Sequence, residues 1–213
     1  MFITFEGLDF SGKTTQAQLL VEKLRALQES AGDRNHVVHF IREPGGTKIS
    51  ERIRAILLDK EHLEITDTAE LLLFSASRSQ LVSQVIIPAL RKGETVVCDR
   101  YCDSTTAYQG YGRGLNLEAV RSVNRLATAG TDPDITFVVD ISVVEIEHRK
   151  AKAGIAFDRM ESAGKQFYER VRNGYLEIAN NEPGRLVVID GATAIQNVEH
   201  EVWQSVERKL ALS

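Results

Sequence analysis

The chain has 213 residues, of which 43% are hydrophobic, 26% charged and 7% aromatic, and its formal net charge is -4. This length and composition are typical of a globular protein with one good core, so we expect a single domain over residues 1–213. The mildly acidic balance argues against a non-specific nucleic-acid binder, which needs excess positive charge to neutralise phosphates. It still permits a small phosphorylated substrate held in a local basic pocket.

Membrane and metal functions also find little support in the sequence. No apolar run reaches the roughly 18 residues of a membrane span, and the N-terminus lacks the basic region of a signal peptide. We therefore expect a cytoplasmic protein that binds neither membrane nor nucleic acid. Cys98 and Cys102 have no second cysteine pair and no histidine nearby. Such a pair makes a poor zinc site, so we expect two unpaired thiols.

Five short, nearly continuous apolar runs are typical of strands buried on both faces of a parallel sheet. They cover residues 2–6, 37–41, 95–98, 135–140 and 186–190. Amphipathic stretches lie between these runs and predict helices. They comprise an apolar stripe from Ala17 to Leu27, a segment over 67–91 that Pro88 bends or interrupts, and segments over 162–180 and 194–212. The alternation predicts an α/β fold with a doubly wound, five-stranded parallel sheet flanked by helices.

The first predicted strand leads into a phosphate-binding motif. Gly7-Leu8-Asp9-Phe10-Ser11-Gly12-Lys13-Thr14 fits G-x-x-x-x-G-K-[ST] and opens the first helical stretch, the setting in which this pattern binds nucleotides. The backbone N–H groups of this loop and of Thr15 would face the phosphates of ATP. Lys13 would reach the β- and γ-phosphates, and the Thr14 hydroxyl would bind Mg²⁺. The motif predicts a P-loop NTPase fold.

A GTPase switch protein is the alternative from another class. It would carry a base-reading Asn-Lys-x-Asp after a later strand and Asp-x-x-Gly after the second strand. The sequence has neither motif in those places. The loop therefore indicates a nucleotide-binding protein other than a GTPase switch, without specifying its reaction.

Asp99-Arg100-Tyr101 follows the predicted strand 95–98. This places the three residues at the carboxyl edge of the sheet, where open α/β folds bind ligands. Asp99 would hold a water bound to Mg²⁺, and Arg100 would bridge the donor and acceptor phosphates. A structural Asp–Arg ion pair at a strand end is the alternative interpretation.

Together these motifs resemble the bacterial thymidylate kinase family. The resemblance runs in order to about residue 190, through Phe5-Glu6-Gly7, Gly12-Lys13-Thr14-Thr15-Gln16, Arg42-Glu43-Pro44-Gly45-Gly46-Thr47, Phe74-x₃-Arg78 and the segment 99–110. It implies a kinase that transfers the γ-phosphoryl group of ATP to thymidylate with Mg²⁺, and a homodimer. A related kinase acting on another deoxynucleotide or a deoxynucleoside is the alternative. A nucleotide-binding subunit without catalysis is a third hypothesis.

The resemblance also implies roles for residues at the acceptor site. Phe74 and Arg78 share a helix face and match residues that stack on thymine and donate to its carbonyl edge. Tyr108 matches a tyrosine under the sugar, and Asp9 matches the carboxylate that binds the 3′-hydroxyl. The other predicted thymidylate contacts are Glu43, Pro44, Arg54, Arg100, Thr105 and Gln109. The turn at Pro44, with a cis peptide as one option, would wall the thymine methyl group.

The chain departs from the family pattern around the donor phosphates. One group of these kinases carries a catalytic arginine in the phosphate loop, where this sequence has Phe10. The other group supplies it from a short mobile flap over ATP, predicted here at about 142–161. Arg149 and Lys152 are expected to share that work, with Arg159 held by Asp158; a solvated basic helix is the alternative. The predicted catalytic set is Lys13, Arg100, Asp9, Arg149 and Lys152.

Overall fold

The computed structural model describes residues 1–30, 32, 36–153 and 164–211. At its centre lies a five-stranded sheet in the order β2-β3-β1-β4-β5, with every neighbouring pair parallel. Its strands are β1 (Phe2–Glu6), β2 (Val38–Arg42), β3 (Thr95–Asp99), β4 (Ile135–Asp140) and β5 (Leu186–Asp190). The predicted strands are confirmed to within one residue at each end, as is the doubly wound α/β class.

Helices cover both faces of this sheet. Those in the described ranges are α1 (Lys13–Ser30), α2 (Lys48–Leu58), α3 (Asp67–Leu81), α4 (Ile87–Arg91), α5 (Cys102–Thr105), α6 (Leu117–Thr128), α7 (Val143–Ala153), α8 (Lys165–Asn181) and α9 (Ile195–Leu210). Two π-helical segments, Val82–Ile86 and Thr106–Gly112, follow α3 and α5 directly. The four predicted helical stretches are present, whereas α2, α5 and α6 were not predicted.

The interruption expected near Pro88 lies before that residue. The hydrogen-bond ladder of α3 widens over Val82–Ile86, where the N–H of Ile87 donates to the carbonyl of Val82. Pro88 then occupies the first turn of α4. A proline has no N–H to continue the ladder, and a first-turn position tolerates that loss.

Both faces of β1 are buried, which explains its continuous apolar run. Ile3 and Phe5 pack with residues of α1 and α9, while Phe2 packs on the opposite face with the end of α3 and the π-helical segment after it. The apolar stripe of α1 ends earlier than predicted, because Leu27 is exposed. The sheet is thus sandwiched between helical layers.

The strand order places a crevice where a ligand can enter. From β1 the chain leaves toward β2, and from β3 it crosses to the opposite side of β1 to form β4. The carboxyl ends of β1 and β3 therefore border the switch point, which is where open α/β sheets bind ligands.

The predicted flap at 142–161 begins as packed helix rather than as a loop. Helix α7 buries Val143 and Ile146 against the cluster that includes α8. Their i, i+3 spacing is a helical pattern that the basic composition obscured. Residues 154–163, including Asp158 and Arg159, lie outside the described residues, so the flap stays a prediction.

Cys98 and Cys102 are free thiols, as expected. Within the described ranges, no helix is long and apolar enough to cross a bilayer.

Candidate active site

The phosphate loop connects β1 to α1 without any spacer. Gly7 has a φ of 131°, and a Cβ at this position would lie 2.5 Å from the Val139 carbonyl oxygen, so the turn requires glycine. Lys13 opens α1, and its ammonium donates to the Leu8 carbonyl at 3.3 Å. It also lies 3.7 Å from the Asp9 carboxylate. The loop thus curls over a buried cation at a helix N-terminus, an arrangement that attracts phosphate.

Thr14 and Asp99, the pair predicted to hold the metal, are brought together. The Thr14 hydroxyl donates to Asp99 Oδ2. Asp99 ends β3 and is buried, and its Oδ1 has no hydrogen-bond partner among the described residues. An unsatisfied carboxylate oxygen beside a hydroxyl is a donor set that suits a hard divalent cation such as Mg²⁺.

Arg100 joins the phosphate loop to the acceptor side. Its guanidinium donates to Asp9 Oδ1 at 2.6 Å and to the Gly7 carbonyl at 2.9 Å. Burial alone would raise the pKa of Asp9, but the charges of Arg100 and Lys13 outweigh it and hold that pKa well below its usual range. Asp9 is therefore ionised at neutral pH and keeps both cations beside the loop.

A buried carboxyl that the sequence analysis did not assign lies behind Arg100. Glu6 accepts hydrogen bonds from the Tyr101 N–H at 2.7 Å and from the Tyr175 hydroxyl at 3.0 Å, as well as from the Ser104 hydroxyl. Burial and the nearby charge of Asp103 raise the pKa of Glu6 to about 7. Its position at the end of a buried strand was the available signal, since an acid there needs partners.

A cavity beside Arg100 gathers the predicted acceptor residues. All ten residues predicted to contact thymidylate line it: Asp9, Glu43, Pro44, Arg54, Phe74, Arg78, Arg100, Thr105, Tyr108 and Gln109. Leu58 and Ser104 line it too and were not predicted as site residues. Leu58 ends α2, a helix the sequence analysis missed, while Ser104 is part of a motif that it recorded.

Arg78 is held firmly in the wall of this cavity. Its side chain is only 2% exposed, and Nε donates to Glu43 Oε2 at 2.7 Å. Nη1 and Nη2 donate to Thr105 Oγ1, Asn124 Oδ1 and the Tyr101 carbonyl. Four of the five guanidinium N–H groups thus have partners among the described residues, and the fifth, on Nη2, has none there.

Glu43 and Pro44 form the turn that faces Arg78. The peptide bond between them is cis. Burial raises the pKa of Glu43 to about 7 although the charge of Arg78 opposes that rise. Arg54, from α2, donates to the Pro44 carbonyl at 2.9 Å and so braces the turn.

Tyr108 stands at the boundary between loop and cavity. Its hydroxyl donates to Asp9 Oδ2 at 3.2 Å and accepts from Arg100 at 3.3 Å. Its ring packs edge-on against Phe167 and Tyr175. The side chain of Tyr108 is therefore fixed between the phosphate loop and the cavity.

The two cations predicted for the flap, Arg149 and Lys152, both lie on α7. Arg149 donates to the carbonyls of Phe10 at 3.1 Å and Gly191 at 2.9 Å, so it clamps the phosphate loop to the segment after β5. Lys152 is exposed. Lys150, which was not predicted, lies 5.5 Å from the centre of the Phe10 ring. The backbone of Phe10 has a φ of 62°, a left-handed conformation that is uncommon for an aromatic residue.

Comparisons with known proteins identify the family of this chain. The model of the thymidylate kinase family matches residues 5–202. A thymidylate kinase of Pelotomaculum thermopropionicum is 48% identical over 98% of this chain and 94% of its own length. One from Chlorobaculum parvum is 46% identical over 97% and 95%.

Solved structures include a near relative. The crystal structure of thymidylate kinase from Ehrlichia chaffeensis is 38% identical, covers 97% of this chain and 98% of its own, and superposes with a TM-score of 0.76. The residues matched by the family model, 5–202, include the phosphate loop and all the residues that line the cavity. The chain belongs to the thymidylate kinase family.

Proposed function

We propose that this protein carries out the reaction of its family, transfer of the γ-phosphoryl group of ATP to thymidylate, in the cavity beside Arg100. The products are ADP and thymidine diphosphate. The observation that carries the proposal is the cavity itself, because all ten acceptor residues implied by the family resemblance line one space. Asp9 of the phosphate loop forms part of its wall, so the donor and acceptor sites adjoin.

The donor half binds the phosphates of ATP through backbone N–H groups of residues 7–15 and the ammonium of Lys13. Thr14 and Asp99 would hold Mg²⁺, which would neutralise charge on the ATP phosphates. Arg149 keeps the loop in shape by binding the carbonyl of Phe10. The contribution of Lys152 and of the remaining flap is to close over ATP and exclude water, which would otherwise hydrolyse it.

The acceptor half places the thymidylate phosphate near Arg100 and Arg54. One of its oxygens attacks the γ-phosphorus as the bond from that phosphorus to the β-bridging oxygen breaks. The attacking oxygen is anionic at neutral pH because a second phosphate pKa is near ~6, so no general base is required. Lys13 and Arg100 offset the charge of the transferring group, and positioning supplies the rest.

The base is bound by side chains of α3 and the turn before α2. Phe74 stacks on the pyrimidine, and the remaining N–H of Arg78 donates to a ring carbonyl. Pro44 packs on the thymine methyl group. Tyr108 lies under the sugar, where it crowds a 2′-hydroxyl and favours deoxyribose.

A coupled ADP-release assay tests this function. ATP and Mg²⁺ are offered with thymidylate, deoxyuridylate, thymidine or no acceptor, in parallel. We expect rapid turnover of thymidylate and almost none with thymidine or without an acceptor. For deoxyuridylate, kcat/KM should be lower by the equivalent of ~1–3 kcal/mol, because the methyl group is lost. Preferred turnover of thymidine would instead make the protein a deoxynucleoside kinase, and silence in all four arms would leave a nucleotide-binding subunit.

We also propose that the protein forms a homodimer through α2, α3 and α6. α3 packs against both of the others, and each of the three helices carries an exposed apolar side chain: Ile49, Leu72 and Leu126. Leu126 is 82% exposed, and in the proposed dimer the partner would cover it together with the other two side chains. Sedimentation velocity should give a dimer for the native chain and a monomer for Leu72→Glu/Leu126→Glu. A native monomer would refute the proposal.

A further inference from the structure

Gln109 has an unsatisfied carbonyl oxygen in the wall of the acceptor cavity. The residue lies in the π-helical segment Thr106–Gly112 and is 1% exposed. Its amide nitrogen donates to Glu70 Oε1 at 2.9 Å. Its Oε1 is buried and has no hydrogen-bond partner among the described residues. A buried acceptor without a donor is costly, so a group that supplies an N–H there would be bound favourably.

Glu70 and Arg113 determine which way this amide is turned. Glu70, on α3, is as buried as Gln109 and accepts from Arg113 Nε at 3.1 Å and Nη2 at 3.0 Å. Arg113 is fixed in turn over the ring of Phe167, at 4.7 Å from its centre. A carboxylate paired with a guanidinium only accepts hydrogen bonds. It therefore takes an N–H of Gln109 and forces the carbonyl oxygen to the other side.

We propose that Glu70 is a positioning residue for base selection, which holds Gln109 so that its carbonyl oxygen accepts from N3–H of thymine. This rests on the proposed placement of thymidylate in the cavity. Thymine and uracil carry a hydrogen on N3, whereas cytosine carries a lone pair there. The fixed carbonyl of Gln109 thus binds the first two bases and repels the third.

Arg78 complements this arrangement on the neighbouring atom of the base. Its one remaining N–H suits the carbonyl at C4 of thymine, and it opposes the amino group that cytosine has in that place. Glu43 fixes the guanidinium of Arg78, just as Glu70 fixes the amide of Gln109. Two buried carboxylates therefore impose one donor and one acceptor on the pocket, the complement of the thymine edge.

The test compares thymidylate with 5-methyldeoxycytidylate, which keeps the methyl group, sugar and phosphate and changes only the N3 and C4 positions. Glu70→Gln replaces the carboxylate with an amide that accepts or donates, so neither direction of Gln109 is enforced. We expect the ratio of kcat/KM for the two acceptors to fall about tenfold or more, with kcat at saturating thymidylate and the KM for ATP within about threefold of the native values.

Asp67→Asn is the matched control. Asp67 also lies near Arg113, at 3.4 Å, but it is half exposed, and no hydrogen bond joins it to Gln109. The same loss of one charge beside Arg113 should leave the ratio unchanged. A drop as large as that of Glu70→Gln would show that the charge balance around Arg113, rather than the direction of the amide, controls selection.

A second variant keeps the proposal testable if Glu70→Gln folds poorly, as judged by near-ultraviolet circular dichroism. Gln109→Met removes the amide and should lower the same ratio about tenfold on its own. In the double variant Glu70→Gln/Gln109→Met, the effect of the first change should vanish, because it acts only through the amide.

The outcomes separate this inference from the proposed function. If the native protein does not discriminate between the two acceptors, the placement of the base in this cavity is wrong. If the native protein discriminates and Glu70→Gln or Gln109→Met retains that discrimination, the function stands and the role of Glu70 is refuted. Equal losses for both acceptors would show that Glu70 has a structural role only.

Discussion

The donor and acceptor halves of the site are built in different ways. The donor half is a continuous loop whose backbone faces the phosphates, with Lys13 and Thr14 at its end. The acceptor half is made of side chains from α2, α3, α5, the π-helical segment after α5 and the loops that follow β1, β2 and β3. Its charges are already paired within the protein, as Arg78 is with Glu43 and Arg100 with Asp9. A backbone site recognises what all nucleotides share, while a side-chain site can select one base.

Replacing Lys13 should have the largest effect. Its ammonium is the only side-chain cation that the motif itself supplies to the β- and γ-phosphates, so Lys13→Ala should lower kcat by about 10³-fold or more. The ADP-release assay measures the loss. The unfolding temperature should stay close to that of the native protein. A near-native kcat would contradict the proposed role of Lys13 at the ATP phosphates.

Replacing Arg78 should mainly cost stability and acceptor binding. Arg78→Met leaves Glu43 buried without its partner, which typically costs about 3–5 kcal/mol. The loss should be larger at pH 8 than at pH 6, because removing the charge of Arg78 raises the pKa of Glu43 above its native value of about 7. The native protein releases this proton near pH 7, whereas the folded variant retains it and continues to lose stability relative to the unfolded chain. Urea unfolding at the two pH values measures it.

The double variant Arg78→Met/Glu43→Gln is the control for that result. With the carboxyl removed, the cost of Arg78→Met, measured against Glu43→Gln alone, should be the same at pH 6 and pH 8. If that cost still depended on pH in the double variant, a titratable group other than Glu43 would be responsible for the dependence.

Glu6 should make stability depend on pH. Its pKa is raised to about 7 in the folded protein from an ordinary 4.5, so the folded state retains a proton that the unfolded state releases. This contribution is full below pH 4.5 and is lost as the pH rises through 7. From pH 5 to pH 8 the free energy of unfolding of the native chain should fall on the order of 1–3 kcal/mol more than that of Glu6→Gln. Equal pH profiles of urea unfolding would contradict the shift.

Tyr108→Phe should have the smallest effect. It removes one hydroxyl that bonds Asp9 and Arg100 but keeps the ring. A loss of about 1 kcal/mol in kcat/KM for thymidylate is expected, with little change for ATP. A larger loss toward ATP than toward thymidylate would place this tyrosine in the donor half.

The contrast between the donor half and the acceptor half also explains which parts of the site could be predicted from the sequence. The phosphate loop and the five strands are encoded locally, in a spaced motif and in continuous apolar runs. The ten predicted cavity residues came from the family resemblance, apart from Arg100, which its place at the carboxyl edge of the sheet also indicated. No local spacing brings Glu43 to Arg78. Tyr175 donates to Glu6, which lies 169 positions away in the sequence. Arg149 donates to the carbonyl of Phe10 in the phosphate loop, a contact that no sequence pattern predicts. Leu58 was missed because α2 was missed.

Separate halves of the site are proposed to bind the donor and the acceptor. Calorimetric titration tests this directly: thymidylate is titrated, without ATP, into the native protein, Lys13→Ala and Arg78→Met. We expect Arg78→Met to bind thymidylate at least about tenfold more weakly, since a buried charged hydrogen bond is lost. Lys13→Ala should bind it within about threefold of the native protein. If Arg78→Met bound thymidylate as well as the native protein does, the cavity would not be the acceptor site.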